Sequence, residues 1–352
     1  LKKKIETVTL WEYLKNQKKK IVIYGMGNGA LKILDACRKY EIEVAGFFAS
    51  DEFSREQYFC GKKVKKLEEI ESEFDAFIIF LAFGVDKKNA IEMIINLSKK
   101  HELYAPDLPL FGDILFDYGF FEQNYDKFLE VYNLLEDELS KKVFINTINF
   151  KITGKINYLI DCTSEKQEIF ENIIKFNENE VFLDLGAYNG DTIKEFIEQT
   201  DDKYKQIIAF EPDEKNFKKL KKYLKNNAIK NAHCFKFASW EKQEILFFND
   251  SGGRNSSLVE ISQKSVNAID VDSLKILPST IKVDVEGAEY QTIIGAKNTI
   301  LKSNPKLMVS AYHKSEDLFE LPLLIKSINK NYKIYLRHHP YIPAWENCFY
   351  FV

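Results

Sequence analysis

Apolar residues along this chain fall into two patterns. Short unbroken runs alternate with longer stretches whose apolar positions recur every three or four residues, the marks of buried strands and amphipathic helices. The spacing predicts a helix over 5–19, a buried strand at Lys20-Ile21-Val22-Ile23-Tyr24 and a helix over 30–40. Between strand and helix lies the glycine turn Gly25-Met26-Gly27-Asn28-Gly29. Val44 to Phe48, ending near Asp51, and Ala76 to Leu81 predict two more strands, with helices over 68–74 and 87–100. A βαβαβ order of this kind implies a parallel sheet with crossover helices. Its turn reads G-x-G-x-G, a departure from the dinucleotide fingerprint. Both a turn that merely needs small residues and a bound nucleotide are compatible with it.

Pro106 and Pro109 interrupt the pattern, and 113–139 then predicts a helix with Phe128, Val131, Tyr132, Leu134 and Leu135 on one face. The stretch 145–162 fits neither period cleanly. The expected organisation is a small Rossmann-like α/β domain over 1–105, a helical connector over 106–170 that packs both domains together, and a larger α/β domain over 171–352. In the last, strands are predicted at 181–185, 206–211, 233–237, 280–284, 306–311, 332–337 and 347–352, with helices at 192–200, 214–226, 288–302 and 317–328. A long insertion between the third and fourth strands carries an extra strand over 244–248 and a Gly-Ser-Asn loop.

Bulk properties narrow the picture modestly. At 352 residues two domains are the prior, and 45% hydrophobic with 14% aromatic content supports large cores. A net charge of −3 gives no pull toward nucleic acid. Five cysteines with no C-x-x-C pair point to reduced thiols in a cytoplasm rather than a disulfide framework or a zinc site. No apolar signal core opens the sequence and no apolar run is long enough for a membrane span. The lysine clusters of 218–222 read as a solvated helix face.

The chemistry concentrates around Val181-Phe182-Leu183-Asp184-Leu185-Gly186-Ala187-Tyr188-Asn189-Gly190-Asp191-Thr192. A buried strand ends near an acid, two glycines four apart follow, and a helix starts near Thr192. About 27 residues on, Ile207-Ile208-Ala209-Phe210-Glu211 is a second apolar run ending in an acid, placed to bind ribose hydroxyls by dinucleotide-fold logic. The loop is D-x-G-x-x-x-G, not G-x-G-x-x-G, which suits a ligand without a pyrophosphate. S-adenosylmethionine fits: a ribose, an adenine and a sulfonium.

Four stretches sharpen this: Phe182 to Thr192, Phe210-Glu211-Pro212-Asp213, Gly253-Arg254-Asn255-Ser256-Ser257-Leu258, and Lys282-Val283-Asp284-Val285-Glu286-Gly287-Ala288-Glu289. In that order they resemble the FkbM family of S-adenosylmethionine-dependent O-methyltransferases, over about 171–352. The first 100 residues or so loosely resemble Rossmann-like N-terminal domains attached to bacterial sugar-modifying enzymes. The resemblance implies a Rossmann-like methyltransferase domain with a seven-stranded, mostly parallel sheet, acting on a hydroxyl of a sugar, surface glycan or activated precursor.

On that basis Asp184, Gly186, Ala187, Tyr188, Gly190, Asp191, Thr192, Glu211, Pro212 and Asp284 are expected to hold the cofactor. Gly186 is taken to leave room for the ligand, and Ala238 and Ser239, ending the third strand, are assigned to adenine. Asp284 and His313 end neighbouring strands and are the catalytic pair, with histidine suited to act as base toward a hydroxyl. The acids Asp284, Glu286 and Glu289 could instead hold Mg²⁺, but the preferred reading is metal-free, with Glu286 and Glu289 orienting the acceptor. Arg254, Asn255, Ser256, Arg337 and His338 are expected substrate contacts. A small-molecule or glycan substrate is expected, with no nucleic acid partner; a homo-oligomer is compatible with the sequence. Two rivals differ in class: an NAD(P)-dependent sugar-modifying oxidoreductase, and a non-catalytic scaffold that keeps the fold.

Overall fold

The computed structural model describes residues 1–50, 57–112, 114–249 and 263–352. Arg254, Asn255, Ser256 and Asp51 lie outside the described residues. The chain divides into two compact units. One comprises 1–132, 139–164 and 338–346; the other comprises 133–138, 165–337 and 347–352. Most of the stretch expected to be a connector therefore belongs to the first unit.

The first unit is built on a six-stranded sheet. Lys20–Tyr24 lies between Val44–Phe48 and Phe77–Leu81, parallel to both, and Glu102–Tyr104 extends the sheet beyond Phe77–Leu81. Two strands the periodicity does not reveal, Tyr58–Phe59 and Lys62–Lys65, close the other edge. The first helix is shorter than expected, Leu10–Lys15, because Thr9 and Glu12 cap its start reciprocally. The first half of the unclassified stretch ends one helix, Glu138–Thr153, buried around most of its circumference in its second half, which erases the helical period. Gly29 sits where an added Cβ would lie 2.0 Å from the Ala82 carbonyl oxygen, so helix–strand packing explains that glycine. Residues 338–346 join this unit: Val85 and Ile342 exchange backbone hydrogen bonds of 2.8 and 3.0 Å. Ile342 and Ala344 are buried in its core.

The second unit carries the expected seven-stranded sheet. Its strands are β1 (Val181–Leu185), β2 (Gln206–Phe210), β3 (Ala232–Phe235), β4 (Thr280–Val283), β5 (Lys306–Ser310), β6 (Ile334–His338) and β7 (Asn347–Phe351). The order is β6-β7-β5-β4-β1-β2-β3. β1 pairs in parallel with β2 and β4, β4 with β5, and β7 runs antiparallel to β5. Helices α1 (Asp191–Gln199) and α2 (Glu214–Asn226) follow β1 and β2; α3 (Glu289–Gly295) follows β4 and α4 (Asp317–Ile328) follows β5. Central strands are buried on both faces, as parallel strands covered by helices must be. Phe182 stacks on Phe196 of α1 with ring centroids 4.4 Å apart. At the N-terminal ends of the strands, the buried Glu180 carboxylate accepts from Thr280 at 2.9 Å, and from Ser279 and Lys306, tying β1, β4 and β5 together.

The third strand is shorter than expected. Ala238–Ser239 is a separate strand in a three-stranded sheet with Gln263–Ile269 and Glu244–Asn249. No helix among the described residues is long and apolar enough to cross a membrane.

Arg337 corrects another expectation. Its guanidinium is buried between Asp137, at 2.7 Å, and Glu168, at 3.1 Å, and so is committed to the scaffold rather than to a substrate. His338 is buried in the first unit with Nε2 3.1 Å from the Tyr341 carbonyl, and is likewise no rim contact. Arg337→Ala is expected to lower the unfolding free energy by about 2 kcal/mol in a urea titration, since both carboxylate partners keep some access to water.

Candidate active site

The C-terminal ends of β1, β2, β4 and β5 converge, as they must in a parallel sheet whose crossovers return on the other side. Asp184, the fourth residue of β1, is fully buried, and neither carboxylate oxygen has a hydrogen-bond partner among the described residues. Lys282 of β4 approaches its Oδ1 at 3.4 Å and the Asp284 Oδ2 at 3.7 Å, and donates to the Gly186 carbonyl at 2.7 Å. Burial alone would lower the Lys282 ammonium, but Asp184, Asp284 and Asp191 overcome it and hold the group above its usual range. Burial pushes the Asp184 carboxyl up, against the pull of Lys282. The two shifts pull apart, and the lysine charge is the fixed one, because three acids reinforce it.

Lys282 escapes sequence reasoning as a site residue. The available signal is a lysine between Ile281 and Val283 in a buried strand, a position a cation tolerates only when paired.

After β1 the chain turns sharply. Gly186 has φ +83°, and an added Cβ would lie 1.8 Å from the Asp284 carbonyl oxygen. The close pass of β4 by itself requires the glycine, a reason that the sequence does not show. Gly186 and Ala187 both donate to the Phe210 carbonyl, at 3.0 and 2.9 Å, locking the turn to β2. Tyr188 follows with φ +47° and an exposed ring. Gly190, left-handed, caps α1; Asp191 opens that helix and accepts from Thr192 at 2.8 Å.

Glu211, just past β2, is buried and bonded on both oxygens to backbone N–H groups, from Tyr188 at 2.8 Å and Asp213 at 2.8 Å. Burial raises its carboxyl to about 7, although both backbone bonds act the other way. Pro212 leads to Asp213, whose side chain caps α2. The Ser239 hydroxyl lies 2.9 Å from that of Thr292 in α3, a buried pairing that commits it to the scaffold. That corrects its expected use toward a ligand; the Ala238 backbone is unaffected.

The acceptor side is more crowded than expected. Asp284 accepts from the Tyr312 hydroxyl at 3.1 Å, and His313 Nε2 lies 3.7 Å from its Oδ1. His313 Nε2 is also 3.5 Å from Glu286 Oε2, and Nδ1 is 2.9 Å from Glu289 Oε1. Glu289, buried at the start of α3, folds back to accept from Val285 N–H at 2.9 Å, whereas Glu286 points outward. Burial would depress the His313 imidazole, but Glu286, Glu289 and Asp284 raise it to about 10. A ring that already carries its proton cannot take one from a hydroxyl, so His313 is a poor base in this arrangement, contrary to expectation. Burial would raise the Asp284 carboxyl, but Lys282 and His313 outweigh it and keep the group below its usual range. The ionised, partly exposed carboxylate of this site is therefore Asp284.

Residues 184–335 match the family model described as the methyltransferase FkbM domain. The chain is a methyltransferase with an FkbM domain. Residues 17–101 of this methyltransferase match a second model, described as C2185-like, N-terminal. A crystal structure of the methyltransferase FkbM from Methylobacillus flagellatus KT is similar at a TM-score of 0.75 and 20% identity, over 95% of this chain and 90% of that one, which shows the fold. A precorrin-6y C5,15-methyltransferase from Geobacter metallireducens GS-15 aligns at a TM-score of 0.33 and 12% identity, over 51% of this chain and 81% of that one. No curated protein matches the sequence.

Because Lys282 neutralises a buried acid, removing it alone strands that charge. Lys282→Met is expected to cost about 3–5 kcal/mol in urea unfolding, and adding Asp184→Asn should return at least about 1 kcal/mol of that loss.

Proposed function

We propose that this methyltransferase moves the methyl group of S-adenosylmethionine to a hydroxyl of a sugar, a surface glycan or its activated precursor, in the cytoplasm. The observation that carries the reading is the trio of acids at adjacent strand ends: Asp184 on β1, Glu211 after β2 and Asp284 after β4. Asp184 bears on the fit: the Lys282 ammonium 3.4 Å away balances its charge, but neither oxygen has a hydrogen-bond partner among the described residues, and a ligand bearing an ammonium or hydroxyl group would supply one.

The cofactor supplies an electrophilic methyl on a sulfonium. Glu211 accepts from the ribose hydroxyls while its other lone pairs stay on the Tyr188 and Asp213 N–H groups. Asp184 and the turn from Gly186 to Thr192 would hold the methionine half of the donor, and the Ala238 backbone would hold the adenine. Asp284 accepts the acceptor hydroxyl's hydrogen bond and takes its proton as the new bond forms. Tyr312 and His313 hold that carboxylate in place, and positioning supplies much of the rate. Glu286 lies at the rim, suited to an acceptor hydroxyl, and Arg254, Asn255 and Ser256 keep their expected role as acceptor contacts.

The test of the function is transfer of isotope-labelled methyl to a panel of sugar nucleotides and phosphoglycans. Uptake by a hydroxyl is expected; donor binding with no uptake across the panel would count against the glycan reading. Asp284→Asn should lower kcat/KM by about 10²-fold.

Glu211 adds a pH signature. Ribose hydroxyls donate to the ionised carboxylate, and this acid ionises only near pH 7 in the protein. Affinity for S-adenosylhomocysteine should therefore rise between about pH 6 and 8 by calorimetry, and Glu211→Gln should weaken binding and flatten the profile.

A further inference from the structure

The donor groups at the ends of β4 and β5 make a set that the methyl-transfer reading does not use in full. Asp284, Glu289 and His313 each offer one ligand atom, and these atoms all lie within 4.8 Å of one another. Two of the three side chains are almost completely buried, so this is not a cluster of surface acids. Glu289 is 1% exposed, yet its Oε2 has no hydrogen-bond partner among the described residues. A buried carboxylate oxygen left in that state asks for a cation or a donor.

The spacing agrees. His313 Nε2 stands 3.7 Å from Asp284 Oδ1 and 3.5 Å from Glu286 Oε2. Those two separations are long for hydrogen bonds and approach the roughly 3.0–3.5 Å between neighbouring ligands on one ion with bonds near 2.1 Å, while the other ring nitrogen, Nδ1, meets Glu289 Oε1 at 2.9 Å. One side of the set is open, because the Asp284 side chain is 31% exposed and that of Glu286 is 79% exposed. A cation there would keep positions for water or an acceptor oxygen, as catalytic metal sites do.

We propose that Asp284, Glu289 and His313 bind a divalent first-row transition metal ion, which displaces the proton the acids hold on the His313 ring, with Glu286 able to complete the set from outside. An imidazole among carboxylates selects Mn²⁺ or Zn²⁺ over Mg²⁺, which prefers an all-oxygen shell. This differs from the acids-only Mg²⁺ site that the sequence suggests, because the histidine comes from the next strand, 24 residues beyond Glu289. The ion's use, polarising an acceptor oxygen beside Asp284, rests on the methyl-transfer reading; the binding itself does not.

The experiment titrates MnCl₂ into the full chain and follows loss of the free-ion electron paramagnetic resonance signal. One Mn²⁺ per chain is expected, displaced by Zn²⁺ and displaced at least about tenfold less readily by Mg²⁺. His313→Gln and Asp284→Asn should each weaken uptake at least about tenfold, whereas His233→Gln on β3 should leave it unchanged. Should the buried His313 variant fail to fold, Asp284→Asn, at a more exposed position, carries the comparison, with circular dichroism as the check on folding. A folded wild-type chain that takes up no Mn²⁺, or uptake undiminished in the folded variants, overturns the proposal. Calorimetry with S-adenosylhomocysteine on the same preparation separates the two ideas. Product binding without Mn²⁺ uptake overturns the metal site alone. Mn²⁺ uptake without product binding upholds the site and removes the methyl-transfer reading.

Discussion

A buried ammonium holds the working end of the larger unit together. Lys282 reaches from β4 to the Asp184 carboxylate of β1, to the Asp284 carboxylate two residues on, and to the carbonyl of the turn that follows β1. Buried charges survive only in pairs or networks, so each of these groups depends on the others for its ionisation state. The turn bearing Gly186 is pressed against the backbone of Asp284, so the donor and acceptor halves of the site are one piece of packing. Displacing one strand end by even an ångström would disturb both.

The opposite ends of the same strands are tied by a different device. Glu180 gathers Ser279, Thr280 and Lys306, which fixes the relative register of β1, β4 and β5 where no ligand is needed. With the strands pinned below, the loops above them are free to carry unfavourable local geometry. Tyr188 and Glu286 both adopt positive φ there, a conformation that L side chains seldom take without compensation.

Much of this is legible in the sequence, for identifiable reasons. The central strands of the larger sheet are largely apolar because both their faces are covered, and the charged residues in and just after them stand out against that background. The failures share a cause: they depend on neighbours remote in sequence. Arg337 ends a strand as a substrate contact would, but Asp137, 200 residues earlier, claims it. Ser239 is claimed by Thr292, and His313 is surrounded by acids that change what its ring can do. At Gly186 the backbone of Asp284, remote in sequence, supplies a reason for glycine that the sequence hides. The helix Glu138–Thr153 escapes because a helix buried on nearly every side has no polar stripe to announce its period.

The path of the chain carries a consequence for synthesis. Residues 338–346 interrupt the last two strands of the larger unit and complete the smaller one, where Ile342 and Ala344 fill part of the core. A ribosome therefore makes almost all of the first unit before most of the larger one, but releases its final piece only after residues 165–337. The N-terminal fold must wait, incompletely packed, until the C-terminal sheet is nearly all made. Neither unit can be cut free at a single peptide bond without taking something that belongs to the other.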